Sequence, residues 1–220
     1  VKAQILFAVG FEPVRLAADG CVSFLGELTI NADGSPRAYG PAGTRPLDHL
    51  ANAGRPGKWW GIATHNGKPG GRPLIQGPQD PRPGFYVSTT AYKVPGFRHG
   101  DPRRELDSEK VPFIVAPRQL IRAVAGVVLG CKGRVTDTRT GKSVDAVVGD
   151  IGPAHHLGEA SIAAAAALGV PTDAKKGGSS SRTFRYEMWT DIPAPGFRLQ
   201  PRLSAARLAV LDSVETAIYV

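Results

Sequence analysis

The segment 148–169 reads VGDIGPAHHLGEASIAAAAALG. Asp150 closes an apolar run that reads as a strand, and Glu159 stands just ahead of an alanine block that reads as a helix. Nine positions separate the two acids, and the linker holds Gly152, Pro153 and Gly158. Such a linker can double back, so the two carboxyls can face each other. One carboxyl that gives a proton and one that takes it are the minimum for general acid–base chemistry, hydrolysis of a glycosidic bond included. Plainer roles exist for both. An acid in the first turn of a helix is favoured by the macrodipole, and an Asp before Ile-Gly-Pro can simply hold a turn. The macrodipole also favours an ionised Glu159, against a proton donor, whereas an ionised Asp150 nearby pushes the other way.

The elements that must position this pair are short. Gly (27) and Pro (19) are spread along the 220 residues and punctuate the chain throughout. Apolar or β-branched runs predict strands at 1–10, 84–92, 110–117, 123–130, 143–150, 183–191 and 215–220. The piece CKGRVTDTRTGK (131–142) reads as a hairpin or an extra strand. One helix is expected over 160–168, stopped by Gly169 and Pro171, with a second short one through 46–54. KKGGSSSR (175–182) reads as a polar loop. No repeat and no break in composition divides the chain, so 1–220 is expected to be a single, mostly β domain, a barrel or a sandwich.

Composition narrows the class further. Hydrophobic residues make up 42% and charged residues 21%, as in ordinary globular domains. No apolar run approaches the ~20 residues that span a bilayer, so no membrane partner is expected. The net charge of +8 is scattered, with no nucleic-acid-binding signature, so no nucleic-acid partner is expected either. Charge of this sign suits an anionic partner or merely a solvated surface. The opening VKAQILFAVG lacks the basic start and cleavage site of a signal peptide. Cys21 and Cys131 allow either one disulfide or two free buried thiols, small residues of the core. With no further His/Cys cluster near His155 and His156, no metal site is expected, and no cofactor.

The 148–169 segment resembles the active-site segment of the glycoside hydrolase family 75 chitosanases. There a strand ends in Asp, Gly-Pro follows, and Gly-Glu-x-Ser opens an alanine-rich helix. ADGSPRAYGP (32–41), LDHLANAGRPGKWWGI (47–62), QGPQDPRPGFYVSTTAY (76–92) and LDSEKVPFIVAP (106–117) also resemble family blocks, in the family's order, over about residues 25–195. Asp-x-Gly-Pro before an acid, a Ser and an Ala-rich helix is similar to rare lipoprotein A and the expansins, which are double-psi β-barrels like the family 45 endoglucanases and some lytic transglycosylases. The resemblance implies a six-stranded double-psi β-barrel with a few short helices. It also implies an inverting, endo-acting hydrolase of the β-1,4 bonds of chitosan, a secreted monomer whose partner is the polysaccharide. Asp150 and Glu159 would be the catalytic pair, with Glu159 favoured as acid and Asp150 as base, the reverse staying open. Inversion would place their carboxyls ~6.5–9.5 Å apart.

Further substrate contacts are expected from Asp107, Tyr86, Thr90 and His155. Asp107 stands where the family has an acid, and either binds a glucosamine ammonium or pairs with Lys110. Tyr86, Ser88 and Thr90 alternate and so share one face of a strand, either a groove wall or a solvated side. His155 lies between the two acids. Asp33 is expected to be a turn residue, and one of Trp59 and Trp60 a stacking platform, the other core. Net positive charge argues against a polycationic substrate. It sustains two alternatives, a peptidoglycan-cleaving glycosidase and a non-catalytic wall-binding barrel.

Overall fold

The computed structural model describes residues 3–206 together with 208, 209 and 212. An opening hairpin pairs β1 (Gln4–Val9) with β2 (Glu12–Leu16), which leads into β3 (Cys21–Asn31). In β3 the residues Val22, Phe24, Gly26, Leu28 and Ile30 are buried, while those between them are more open. That period of two marks a strand with one face on a core. A long excursion follows, with two short 3₁₀ turns and the two-residue strands β4 (Gly54–Arg55) and β5 (Lys58–Trp59). Then come β6 (Phe113–Pro117), α1 (Arg118–Ala123), β7 (Cys131–Asp137), β8 (Ser143–Gly152), β9 (Glu159–Ser161), α2 (Ile162–Leu168) and β10 (Ser179–Pro193).

Six strands close a barrel in the order β3-β10-β7-β8-β6-β9, and β9 returns to β3. The β3–β9 and β6–β8 pairs are parallel, and the other pairs are antiparallel. Closure removes the edges that an open sheet would expose. The interior is filled by Phe24, Leu28, Phe113, Ile114, Val135, Phe184, Tyr186 and Met188. Phe24 stacks on Tyr186 with centroids 5.1 Å apart, and the Tyr186 hydroxyl donates to the Glu27 carbonyl at 2.9 Å. A smaller cluster of Ala32, Ala38, Tyr39, Ala53, Trp59 and Ile62 lies under the long excursion. The chain is thus a single, mostly β domain with a closed six-stranded barrel and short helices.

Several elements depart from expectation. The apolar run 123–130 is not a strand. Its start ends α1, and Val124, Val127 and Val128 fill the core from turns. An apolar run without period does not distinguish these outcomes. The run 84–92 forms only single bridges, Ile62 with Ser88 and Ile75 with Tyr86. Its backbone N–H groups go to scattered acceptors, among them Glu105 from Thr90 and Asp150 from Ala91. The helix begins at Ile162, capped by Ser161, whose hydroxyl accepts from Ala164 N at 3.2 Å and from Phe113 N at 3.0 Å. Gly169, at φ 76°, ends it as expected. Residues 50–53 form a 3₁₀ turn, and the second half of 175–182 belongs to β10. The 131–142 piece is the β7–β8 hairpin. Both cysteines are buried and free. The strand expected at 215–220 lies outside the described residues.

Candidate active site

Asp150 is aimed by a bulge. Along the parallel β6–β8 ladder Ile114 faces Val148 but Val115 faces Asp150, so Gly149 is the extra residue. A bulge bends its strand and redirects the side chain beside it. Only glycine fits there, since a Cβ would come within 2.7 Å of both Leu106 and Phe113. Asp150 Oδ1 accepts two backbone hydrogen bonds, from Ala91 N and Ile151 N, each 2.8 Å. The irregular path of 84–92 is what presents the first of these.

Glu159 is not in the first turn of the helix. It opens β9, opposite Thr29 of β3, and α2 starts three residues later. The Gly152–Gly158 loop folds back to place it. Thr29 N donates to the Gly158 carbonyl at 2.8 Å, and Gly158 has φ 107°. A Cβ on Gly158 would lie 2.1 Å from the Glu27 carbonyl oxygen, so this close approach requires glycine. Glu159 Oε1 accepts from Asn31 Nδ2 at 2.7 Å. Its Oε2 would lie 3.2 Å from a Cβ built on Gly152.

Both acids line one groove of about 550 Å³. Its other carboxylates are Asp33 and Glu105, and Lys68, Lys93, Arg104 and Arg118 supply positive charge. Glu105 is neutralised locally. It sits 2.5 Å from Lys93 Nζ and also accepts from Thr90 N at 2.8 Å. Asp33, Asp150 and Glu159 are held differently, by donors without formal charge. Asp33 Oδ1 accepts from the Ser88 hydroxyl at 3.3 Å. A second hollow, of about 530 Å³, is lined by residues such as Gln4, Leu16, Val124 and Asp191 and contains one acid, not four. The chemistry therefore concentrates in the first groove.

Proton affinity follows from these surroundings. Burial, aided by the charge of Glu159, pushes the Asp150 carboxyl up to about 7, against the pull of its two N–H donors and of Lys93. Burial also raises Glu159, while the Asn31 hydrogen bond and His156 oppose the rise and Asp48 adds to it. Asp33 is pushed well above the usual carboxylate range by burial and then by Asp150, against a hydrogen bond from Tyr39. All three carboxyls thus have raised proton affinity, and three such acids in one groove resist ionising together. The opposition expected from the helix macrodipole has no place in this balance, because Glu159 stands outside the helix.

The remaining predicted residues separate. Thr90 lines the groove, but its hydroxyl already donates to the Tyr92 carbonyl at 2.9 Å and accepts from Leu106 N at 3.1 Å. Tyr86 is not among the lining residues. It packs on Trp59, centroids 6.4 Å apart, so the shared-face expectation does not hold for it. His155 is exposed and does not line the groove; His156 is the histidine whose charge acts on Glu159. Asp107 also lies off the groove. Its carboxylate accepts from Glu109 N at 3.1 Å and pairs with Lys110 at 2.9 Å, the plainer of its two expected roles. Asp33, expected to be only a turn residue, is in the groove. Trp59 is buried and Trp60 half-buried, and both line the groove. Asn31, Lys93 and Glu105 had no signal in their local sequence.

Among the described residues, no His, Cys, Asp and Glu side chains group so as to hold a metal ion, and no helix is long and apolar enough to cross a membrane. In comparisons with known proteins, no family model matches the chain and no curated protein matches it significantly.

Proposed function

We propose that this protein is an inverting, endo-acting glycoside hydrolase in which Asp150 and Glu159 are the acid–base pair, and that its substrate is chitosan. One observation carries the reaction class. Two acids from different strands, both with raised proton affinity, open into a single groove. One can hold a proton while the other is ionised, which is the state that protonation of a leaving oxygen and activation of water require together. Trp60, half-buried on the same groove, supplies an aromatic face for a sugar ring. The resemblance to the family 75 chitosanases names the polymer. Such a polymer places the enzyme outside the cell. The resemblance favours Glu159 as the acid, whereas the value near 7 for Asp150 favours the reverse, so the pair is proposed here without an order.

A second reading rests on Lys68, Lys93, Arg104 and Arg118, which line the same groove and suit an anionic wall glycan. In that reading the protein cleaves peptidoglycan, or binds it without cleaving. The test is release of reducing ends from chitosan, chitin and peptidoglycan side by side, with wild type and with Asp150→Asn and Glu159→Gln. Chitosan cleavage lost in both variants supports the first reading. Cleavage of peptidoglycan alone moves the substrate, and binding without cleavage of any polymer removes the hydrolase.

A further inference from the structure

The Asn31 side chain makes two hydrogen bonds that together leave it no freedom. Its Oδ1 accepts from Asp33 N at 2.9 Å, and its Nδ2 donates to Glu159 Oε1 at 2.7 Å. A backbone N–H can only donate, so the atom facing it must be the amide oxygen, and the nitrogen is then committed to Glu159. Rotating the amide by half a turn would set two donors against each other at Asp33. Asn31 is 8% exposed, so water does not substitute easily for either partner. Oε1 of Glu159 is therefore always the oxygen that accepts, and the proton that Glu159 gains or loses belongs on Oε2. That oxygen lies against Gly152, itself a wall of the groove.

We propose that Asn31 is a positioning residue that makes Oε2 the working oxygen of Glu159, the atom that exchanges a proton with substrate or water. This rests on the hydrolase reading for its consequence but not for its geometry. The turn at Asn31–Asp33 thereby ties the end of β3 to the acid that opens β9. An oxygen fixed in this way delivers or takes the proton from one direction, whereas a free carboxyl would spread it over two.

The test is a pair of variants read in two ways. Asn31→Ala removes the donor. Asn31→Asp keeps the shape and the acceptor for Asp33 N, so it preserves the turn but offers Glu159 a like charge. The groups that face Glu159 from other elements keep their identity in both variants: Asp33, Tyr39, Asp48, Asp150, His156 and Tyr186. The pH profile of kcat/KM and a carbon-13 NMR titration of Glu159 are measured for each. Loss of the donor destabilises the ionised form, so Glu159 should titrate at higher pH in the Ala variant and higher still in the Asp variant. One limb of the profile should follow, the alkaline limb if Glu159 is the acid and the acidic limb if it is the base, with kcat lowered about tenfold or more. A Glu159 titration unmoved in both variants overturns the proposal, as does an unmoved profile in an active enzyme. If wild type cleaves no polymer, the hydrolase reading fails, and the NMR titration still decides the role of Asn31.

Discussion

Asp137 ends β7 and Asp150 lies near the end of β8, the strand paired with it, and both are buried, at 3% and 7% exposure. They nevertheless titrate in opposite directions. Asp137 ends β7 at the hairpin turn. Its carboxylate accepts from Arg139 N at 3.0 Å, Arg139 Nε at 3.3 Å and Thr140 Oγ1 at 3.2 Å. Burial pushes its proton affinity up, but these donors and the Arg139 charge outweigh burial and bring it down. Asp150 also has two donors, yet burial and the charge of Glu159 win. At Asp150 burial dominates and the charges of Glu159 and Lys93 oppose each other, whereas at Asp137 the Arg139 and Thr140 donors outweigh burial; that balance separates an acid that holds a turn from one fit to move protons.

The widest gap between the two acids should be in turnover. Asp150→Asn and Glu159→Gln should each reduce glucosamine-polymer hydrolysis by about a thousandfold or more, because an amide keeps the shape but exchanges no proton. Asp137→Asn should leave turnover within about twofold. Reducing-end assays on folded protein, checked by circular dichroism, measure both. A near-normal rate in Asp150→Asn would reduce Asp150 to a turn residue like its neighbour.

Stability should separate them next, with opposite pH dependence. The raised affinity of Asp150 stabilises the fold fully below the unfolded value of about 3.9, and that contribution is lost as pH rises through about 7. Asp150→Asn should therefore melt above wild type at pH 8 and match it near pH 4. For Asp137 the sign reverses. Its lowered affinity stabilises the fold above the unfolded value and fades as pH falls through the native one. Asp137→Asn should cost about 1 kcal/mol at pH 7, the Arg139 part being screened by that residue's exposure. Thermal melts of both variants at the two pH values decide the matter. Parallel shifts would mean that one environment governs both acids.

A smaller effect is expected where the groove acid meets its wall. In Gly152→Ala the new Cβ would lie 2.9 Å from Val115 Cγ1 and 3.2 Å from Glu159 Oε2. Displacing Oε2 should lower kcat about tenfold with a stability loss of roughly 1 kcal/mol. Unchanged kcat would show that Glu159 works from another position. The smallest effect belongs to Asp107→Asn, whose partner Lys110 is mostly exposed. Stability should change by less than about 1 kcal/mol, and the salt dependence of polymer affinity should not change. A flattened salt slope in steady-state kinetics would return Asp107 to the substrate.

The acid pair was legible because it is local. Strand, turn and helix signals surround Asp150 and Glu159 within a few residues; β8 is a continuous buried apolar run, and burial alternates with period two in β7 and the centre of β10. The supporting residues were not. Asn31 reaches Glu159 across 128 positions, and Lys93 approaches Asp150 from an irregular segment whose apolar and β-branched residues imitate a strand. Asp33 carried only the mark of an Asp-Gly turn, and the turn is real, but its carboxylate points where no local rule could predict. The run 123–130 misled because buried valines in turns and in strands look alike in sequence. Closure of the barrel was expected from the resemblance alone, since short strands give no strand order.

The strand that closes the barrel is three residues long, and Glu159 is its first. Its partner β3 lies more than a hundred residues earlier, so the seam is a contact of very high sequence separation, among the slowest kinds to form. Until that seam zips, Asn31 has no carboxylate to hold and Asp150 has no counterpart. On the hydrolase reading, catalytic competence is then a property of the finished topology and of none of its parts. A chain that has collapsed and built its hairpins carries every residue of the site and none of its reactivity. During refolding, hydrolytic activity on that reading should therefore return only with the structural phase that closes the barrel.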